Sequence, residues 1–185
     1  MKSNNIFPKR ALISQSDKIG LNEFAKSLKQ KKVEIISTGG TAKHLNKNNI
    51  DVTTVSSITK FPEILDGRVK TLHPNIHAGI LANLDLTLHN ETLNKFNIGN
   101  IDLIAVNLYP FEEVKKKSTI EEKIIENIDI GGPTLIRAAA KNYKFKIVIV
   151  DNNDFSIVLD EMSNSKGVSL ETRKYLATKA FLYIS

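Results

Sequence analysis

The run IDLIAVNL, residues 101–108, is the feature that most constrains how this chain can fold. A strand with one face in water alternates apolar and polar residues, whereas a strand covered on both faces reads as a nearly continuous apolar run. Strands of the second kind belong to parallel sheets, whose crossover connections place helices on each face. The run therefore predicts a buried strand at the centre of an α/β domain.

The rest of the chain alternates between two patterns. Short apolar runs predict four further strands: RALIS, VEIIS, DVTTV and FKIVIV. Stretches between them have helical spacing; in GLNEFAKSLK, Leu21, Phe24, Ala25 and Leu28 fall on one helix face. Asp154 is predicted to cap a later helix. We therefore predict a three-layer α/β/α domain, Rossmann-like, around a central and mostly parallel five-stranded sheet.

Composition limits the class of protein. The 185 residues include no cysteine, which excludes disulfides, thiolate catalysis and thiolate metal sites and favours a reducing, cytoplasmic location. No stretch approaches the roughly 20 apolar residues that span a bilayer, so no membrane partner is expected. The final helix ends on FLYIS without a capping residue. We expect one domain, residues 1–185, cut from a longer parent chain.

The net charge of +6 predicts an anionic partner, which could be nucleic acid or a small molecule. Nucleic-acid binding favours clustered cations with aromatic residues between them. Here lysine and arginine are spread from Lys2 to Lys179. An anionic small molecule is therefore favoured over nucleic acid.

Two polar loops follow the first two predicted strands, where parallel sheets bind their ligands. The first is SQSDK, with Ser14, Ser16 and Lys18, and the second is STGGT, residues 37–41. Hydroxyl groups, paired glycines and the free N–H groups of a helix N-terminus suit a phosphate. Taken alone, the first loop is better explained as a helix N-cap, and the second could equally be a tight capped turn. Together the two loops favour a phosphate site.

The segment GRVKTLHPNIHAGIL, residues 67–81, reads as neither a clean helix nor a clean strand. Arg68 can bind phosphate or carbonyl oxygen in a fork, and Lys70 can act as a point charge or proton donor. His73 and His77 are four residues apart, which raises the alternative of a metal site. Pro74 lies between them and no third ligand is near, so no metal is expected.

Two further motifs carry candidate catalytic groups. In NLYPF, Tyr109 could direct its phenol into the crevice, or the motif could be a plain turn before proline. In IDIGGPTLIRAAAK, Asp129 could be only a favourable charge at a helix N-terminus. Alternatively, it could accept a proton in a crevice walled by Lys70 and Lys141.

These motifs occur in one order and together resemble a known family. The chain, from about Arg10 to its last residue, is similar to the N-terminal domain of the bifunctional purine-biosynthesis enzyme that combines aminoimidazole-carboxamide ribotide (AICAR) transformylase with inosine monophosphate (IMP) cyclohydrolase. The resemblance implies a methylglyoxal-synthase-like (MGS-like) fold. It also implies closure of formamidoimidazole-carboxamide ribotide to IMP and water, without cofactor or metal. Formyl-tetrahydrofolate serves only the transformylase half, which is absent here. The parent family is homodimeric.

The resemblance also implies roles for individual residues. Phosphate and ribose binding is implied for Ser14, Ser16, Lys18, Thr38, Gly39, Gly40 and Thr41. Contacts with the imidazole, its carboxamide and the formyl group are implied for Arg68, Lys70, Thr71, Asn107, Tyr109, Asp129, Ile130, Gly131 and Gly132, and Lys141 matches a catalytic lysine. We expect Tyr109 and Lys70 to stabilise the tetrahedral oxyanion, and Asp129, poised by Lys141, to serve as the base.

Two alternative functions remain at this point. Methylglyoxal synthase, on a similar fold, would explain the phosphate loops but not GRVKTLHP or IDIGGPTLIRAAAK. A non-catalytic domain that senses a nucleotide would bind IMP without turnover. The presence of Lys70, Tyr109, Asp129 and Lys141 together argues against a sensor, because a sensor needs no proton-transfer groups.

Overall fold

A single five-stranded sheet forms the centre of the computed structural model, which describes residues 5–108, 121–126 and 128–185. The strands are β1 (Arg10–Ser14), β2 (Glu34–Ser37), β3 (Thr53–Thr54), β4 (Leu103–Val106) and β5 (Ile147–Ile149). Their order is β3-β2-β1-β4-β5, and every neighbouring pair is parallel. The predicted parallel sheet is confirmed, and β4, the strand that the run at 101–108 predicted, is buried at all four positions.

Helices cover both faces of the sheet, as the three-layer prediction requires. Their bounds are α1 (Leu21–Gln30), α2 (Gly39–Lys47), α3 (Val55–Thr59), α4 (Pro74–Leu81), α5 (Thr87–Lys95), α6 (Glu121–Glu126), α7 (Gly131–Lys141), α8 (Phe155–Asn164) and α9 (Leu170–Tyr183). Helices α4 and α9 both pack against α7, and α1 packs against α8. No helix in the described ranges is long and apolar enough to cross a bilayer.

The apolar core joins the sheet to its helices. The predicted face of α1, Leu21, Phe24, Ala25 and Leu28, is entirely buried. Phe24 stacks on Phe155 of α8 with ring centroids 4.0 Å apart. Full burial of one large apolar side chain stabilises a fold by about 1.5–3 kcal/mol, so these contacts hold α1 and α8 firmly in place.

The register of the strands brings several loops to one edge of the sheet. Strand β1 lies at the centre, with Ser14 beside Val106 of β4 and Ile13 beside Ser37 of β2. The residues that follow each strand therefore leave the sheet at the same carboxyl edge, where open α/β sheets bind ligands.

Three local predictions are wrong. Strand β3 has two residues rather than five, because Thr54 caps α3 by accepting the N–H of Ser57 at 3.2 Å. Asp154 makes no capping bond; its carboxylate accepts Lys179 Nζ at 2.8 Å. The second half of GRVKTLHPNIHAGIL is a regular helix, α4, which His73 caps.

Two cations are fully buried away from the carboxyl edge. Lys146 precedes β5, and its Nζ donates to Gly79 O at 2.8 Å and to Asn100 Oδ1. Arg173 of α9 donates to the backbone oxygens of Tyr143 at 3.0 Å, Lys144 at 3.1 Å and Val168. Buried cations with full hydrogen bonding fix the position of the backbone around them.

Candidate functional site at the carboxyl edge of the sheet

An open cleft of about 560 Å³ lies at the carboxyl edge of the sheet. Its walls are Ser14 at the end of β1, the loop residues 66–68, 70 and 71, the end of α6, and the N-terminus of α7 with the residues before it. Asp129 and the glycines 131 and 132 are part of the last wall. A cleft of this size fits the range of small-molecule sites.

Lys70 provides a free cation inside the cleft. Its side chain is half-buried, and it makes no hydrogen bond or ion pair within the described ranges. A Cβ atom placed on Gly39 would lie 3.9 Å from Lys70 Nζ, and one placed on Gly67 would lie 3.8 Å away. The ammonium group therefore stands between the glycine loop after β2 and its own loop, where an anion could reach it.

Arg68 is exposed and already paired. Its Nε lies 3.2 Å from Glu126 Oε1, and its Nη2 contacts Glu126 Oε2. The hydrogen bonds that Arg68 donates to Glu126 raise the pKa of Arg68 and lower the pKa of Glu126. The pair joins the loop at 66–71 to α6 while both side chains stay more than half exposed. Arg68 must leave Glu126 in order to bind an anion in full.

The glycine loop after β2 leaves the N-terminus of α2 open. Thr38 is the N-cap residue, but its hydroxyl makes no capping bond and donates instead to the carboxylate of Glu63. Gly39 takes a left-handed φ of 54°, and a Cβ on Gly40 would meet no atom within 4 Å. The N–H groups of Gly39, Gly40 and Thr41 make no hydrogen bond within the described ranges, which is the arrangement that binds anions at helix N-termini.

Thr41 connects the two loops rather than facing the cleft. Its buried hydroxyl accepts Gln15 N at 2.9 Å and donates to Gln15 O at 3.0 Å. A threonine hydroxyl has one proton, and here Gln15 receives it. Thr41 fixes the relative position of the loops after β1 and β2.

The loop after β1 is held by side chains of its neighbours. Asn107 Oδ1 accepts the N–H groups of Ser16 at 2.5 Å and Asp17 at 3.1 Å. Lys18 Nζ folds back onto the carbonyls of Gln15 and Ser16, at 3.2 Å from each. The implied role of Asn107 near the formyl oxygen is therefore accompanied by a structural role that sequence reasoning did not anticipate.

Asp129 and the residues after it form the third wall. Asp129 Oδ1 accepts Gly132 N at 2.9 Å, so the carboxylate, itself exposed, binds the first turn of α7. Thr71 is buried against Gly131, where an added Cβ would lie 2.9 Å from its hydroxyl. Ile125, Ile128 and Ile130 line the cleft and are more than half exposed, which gives it one apolar side.

Lys141 lies outside this cleft, and the expected pairing with Asp129 is wrong for the single chain. Lys141 is the last residue of α7, and Asp129 precedes its first residue. The helix has 11 residues, and at 1.5 Å per residue its ends are about 15 Å apart. Tyr109, the other proposed oxyanion donor, lies outside the described residues.

The two histidines of the GRVKTLHP region have structural surroundings. His73 Nδ1 accepts Asn75 N at 3.1 Å as the cap of α4. Burial lowers the pKa of His77, and a hydrogen bond with the backbone of Thr71 opposes that shift. No group of three histidine, cysteine or acidic side chains in the described residues is placed to hold a metal ion.

Several residues in and around the cleft gave no sequence signal. Glu63 and Glu126 approach Thr38 and Arg68 only in the folded chain, 25 and 58 residues away along the sequence. Asn152, discussed below, is likewise 45 residues from its partner Asn107. Such contacts depend on the tertiary fold and have no periodic pattern that could have revealed them.

The parallel sheet and its cleft define an α/β domain with an open site at the carboxyl edge of its strands, where folds of this class bind their ligands. Residues 20–134, more than half of the chain, match the family described as "MGS-like domain". The chain belongs to this family, and the resemblance drawn from the sequence motifs is confirmed. Residues 139–185 match the family described as "AICARFT/IMPCHase bienzyme".

Curated relatives point to the same family of enzymes. The chain is 58% identical over 176 residues to the "Bifunctional purine biosynthesis protein PurH" of Caldicellulosiruptor saccharolyticus, covering 95% of this chain and 34% of that protein. It is 59% identical over 178 residues to that of Caldicellulosiruptor bescii, covering 96% and 35%. It is 58% identical over 174 residues to that of Fusobacterium nucleatum, covering 94% and 34%.

The chain thus spans about a third of the length of these relatives, at their N-terminal part. These matches support the IMP cyclohydrolase region of the bifunctional enzyme. A solved structure, "Crystal structure of ForH", has the same fold with a TM-score of 0.83 at 29% identity, covering 94% of this chain and 92% of that one.

Proposed function

We propose that this domain is an IMP cyclohydrolase that closes the second ring of the purine. The carboxamide nitrogen of formamidoimidazole-carboxamide ribotide attacks the formyl carbon, a C–N bond forms, and the formyl oxygen leaves as water. The similarity to PurH proteins supports this reaction. The observation that carries the proposal is Lys70, a half-buried ammonium with no partner within the described ranges, beside an open glycine loop.

The ligand phosphate is proposed to bind the loops after β1 and β2. The open N-terminus of α2 at Gly39 and Gly40 attracts an anion through its free N–H groups. Thr38 can turn its hydroxyl from Glu63 to the phosphate, and Thr41 holds the loop beneath. Ser14, Ser16 and Lys18 are proposed to contact the phosphate and ribose from the neighbouring loop.

The heterocycle is proposed to occupy the cleft itself. Arg68 and Thr71 contact the imidazole and its carboxamide, opposite the backbone of Ile130 and the glycines 131 and 132. The apolar side chains of Ile125 and Ile128 provide a surface for the flat ring. Held in this way, the reacting amide and formyl groups belong to one molecule and need only be kept in the attacking conformation.

The chemistry is proposed to depend on charge stabilisation. The carboxamide nitrogen is a poor nucleophile, and its attack places negative charge on the formyl oxygen. Lys70 donates to that oxyanion, together with Tyr109. Asp129 retains a second carboxylate oxygen beyond the one bound to Gly132 N and accepts the amide proton. Lys141 has no assigned step within this cleft.

The remaining expectations concern surroundings and partners. We propose that this domain works without cofactor or metal and that formyl-tetrahydrofolate serves only the transformylase half of the parent enzyme. We also propose a cytoplasmic location, a homodimer as in the parent family, and no nucleic-acid or membrane partner. The absence of cysteine and the scattered cations support these proposals.

The experiment is an ultraviolet assay of IMP formation after addition of formamidoimidazole-carboxamide ribotide. Lys70→Ala should lower kcat by about 100-fold or more, the scale for loss of one oxyanion donor. Lys47→Ala is the matched control, because Lys47 is an exposed lysine at the other end of α2. It should turn over as the unsubstituted protein does.

Other outcomes would redirect the proposal. Full turnover by Lys70→Ala would keep the function and remove the role of Lys70. Binding of IMP without turnover by the unsubstituted protein would point to the nucleotide-sensing alternative. Release of phosphate from dihydroxyacetone phosphate would point to a methylglyoxal synthase.

A further inference from the structure

Three amide side chains meet where three neighbouring strands end. Gln15 follows β1, Asn107 follows β4, and Asn152 lies shortly after β5. Asn107 Nδ2 donates to Gln15 Oε1, and it lies 3.2 Å from Asn152 Oδ1. The amides form a connected chain across the carboxyl edge of the sheet, which we call the amide chain.

Asn107, the central member, is fully occupied by protein groups. Its Oδ1 accepts two backbone N–H groups, those of Ser16 and Asp17, and this fixes which end of the amide faces the loop. Its Nδ2 reaches Gln15 and Asn152, together with Asp17 O at 3.2 Å. A side chain with every hydrogen-bonding site used has one orientation.

Asn152 also binds the loop at 16–19. Its Nδ2 donates to Ile19 O at 2.9 Å and to Asp17 O at 3.3 Å. The two amides therefore bind the backbone of the loop at 16–19 from both sides, Asn107 mainly through N–H groups and Asn152 through carbonyl groups. The bonds of Asn152 are to the backbone, so they set the path of the loop rather than any one side chain.

Two hydroxyl groups, one in this loop and one at the end of β1, are available to a ligand. Ser14 lines the cleft, and the side chains of Ser14 and Ser16 make no hydrogen bond within the part of the chain that the structure describes. Gln15 between them is 4% exposed, and its Nε2 has no partner among these residues. A buried amide with an unused donor destabilises a fold. The orientation of the Gln15 side chain is therefore set by the hydrogen bond from Asn107 to its Oε1, and not by its Nε2.

We propose that Asn152 is a positioning residue for the ligand phosphate. It holds Asn107 and the loop at 16–19 in the shape that directs the hydroxyl of Ser16 towards the phosphate, beside the hydroxyl of Ser14 at the end of β1. This inference rests on the proposed function, because it needs a phosphorylated ligand. Asn152 itself touches no ligand and acts only through the loop.

The test compares ligands with and without phosphate. Dissociation constants for IMP and for inosine are measured by calorimetry on the unsubstituted protein, Asn152→Ala and Asn153→Ala. Asn153 is the matched control, because it is the adjacent, exposed asparagine and its hydrogen bonds go to Asp151 rather than to the loop at 16–19. Asn152→Ala removes the three hydrogen bonds to Asn107, Asp17 and Ile19, so part of the cost of ordering the loop falls on phosphate binding. IMP should bind about tenfold more weakly, and the affinity for inosine should not change.

Kinetics and folding complete the test. With the ribotide substrate, Asn152→Ala should raise KM and change kcat much less, because the bound substrate still reaches the same reacting groups. Urea unfolding shows whether each variant folds, and Asn152→Ser replaces Asn152→Ala if the latter does not. Faster amide hydrogen exchange at Ser16 and Asp17 in the folded variant would confirm the loosened loop.

Each contrary result has a distinct meaning. If the unsubstituted protein binds no IMP, the proposed function fails and this inference fails with it. If it binds IMP and Asn152→Ala binds equally well, the inference alone is overturned. Equal losses for IMP and inosine would also overturn it, because they would show general damage to the cleft rather than loss of phosphate positioning.

Discussion

Gly132, which lines the cleft, and Gly40, in the glycine loop after β2, differ in what their missing side chains would meet. A Cβ on Gly132 would collide with Asp129 Oδ2 and would lie 2.6 Å from Leu108 Cδ2. A Cβ on Gly40 would meet nothing within 4 Å, and the backbone there has an ordinary φ. Gly132 is thus required by the fold, whereas nothing in the fold requires Gly40.

Gly40→Ala should therefore separate binding from stability. Alanine within a helix is favoured over glycine by up to about 1 kcal/mol, so the free energy of unfolding should stay the same or rise. IMP should bind at least tenfold more weakly, because the methyl group occupies the space proposed for the phosphate. Urea unfolding and calorimetric titration measure the two effects.

Gly132→Ala is the contrasting variant for this prediction. Its collision with the Asp129 carboxylate should lower the free energy of unfolding as well as the affinity for IMP. If Gly40→Ala bound IMP as tightly as the unsubstituted protein, the phosphate could not lie at the N-terminus of α2.

Residue types and loop positions were enough to predict much of the candidate site. Ser14, Arg68, Lys70, Thr71 and Asp129 all line the cleft. Ser14 ends β1, and the other four lie in segments between helices. The predicted pairing of Lys141 with Asp129 was wrong, because neither the residue types nor the family motif reveals the long helix that separates the two residues.

Among the elements, α9 adds one buried cation, Arg173, to its apolar contacts with the domain. Arg173 is 0% exposed and donates to the carbonyls of Tyr143 and Lys144, in the turn between α7 and β5. It also donates to Val168 O, just before α9 begins. Burial lowers the pKa of Arg173, and the charge of Glu161 opposes that shift. One guanidinium group thus joins three segments of backbone.

Arg173→Met should destabilise the fold while keeping most of the apolar stem of the side chain. The substitution takes the Arg173 donors from the carbonyls of Tyr143 and Lys144, whereas Val168 O keeps the N–H of Ile6. A carbonyl left without its donor costs about 1–3 kcal/mol, so a loss of about 3 kcal/mol in the free energy of unfolding is expected. Lys174→Met, at the next and exposed position of α9, should change stability little. Urea unfolding of both variants measures the difference. If Arg173→Met were as stable as Lys174→Met, the stabilising role of Arg173 would be contradicted.

The helices and strands could be predicted from the hydrophobic pattern where that pattern extended over many residues. Strand β4 and helix α1 match the continuous apolar run and the 3.6-residue spacing that predicted them. The ends of elements were harder to predict, because they depend on single hydrogen bonds. Thr54 ends β3 by capping α3. The Asp154 carboxylate binds Lys179, 25 residues away along the chain, instead of capping its helix.

For the whole molecule, Lys146 links stability to pH. Burial lowers its pKa from 10.5 to about 8, and the charge of Asp102 opposes the shift. Between these two pKa values the unfolded chain binds a proton that the folded chain does not. The free energy of unfolding therefore rises with pH in this window, and the contribution is absent below pH 8, where both states are protonated.

The expected gain is about 3 kcal/mol across the full window, at 1.36 kcal/mol for each pKa unit. Urea unfolding between about pH 7 and pH 10 should show most of it, and Lys146→Met should abolish this rise. Lys144→Met, two residues earlier and exposed, should retain it. A rise of equal size in Lys146→Met would assign the pH dependence to other groups.

The pair of Arg68 and Glu126 has a consequence for the timing of ligand exchange. It joins two walls of the cleft, yet its side chains are 63% and 55% exposed. Exposed side chains change rotamer within picoseconds to nanoseconds, whereas a typical enzyme turns over in about a millisecond to a second. The tether would open and close many thousands of times in each catalytic cycle, so its opening cannot set the rate at which product leaves.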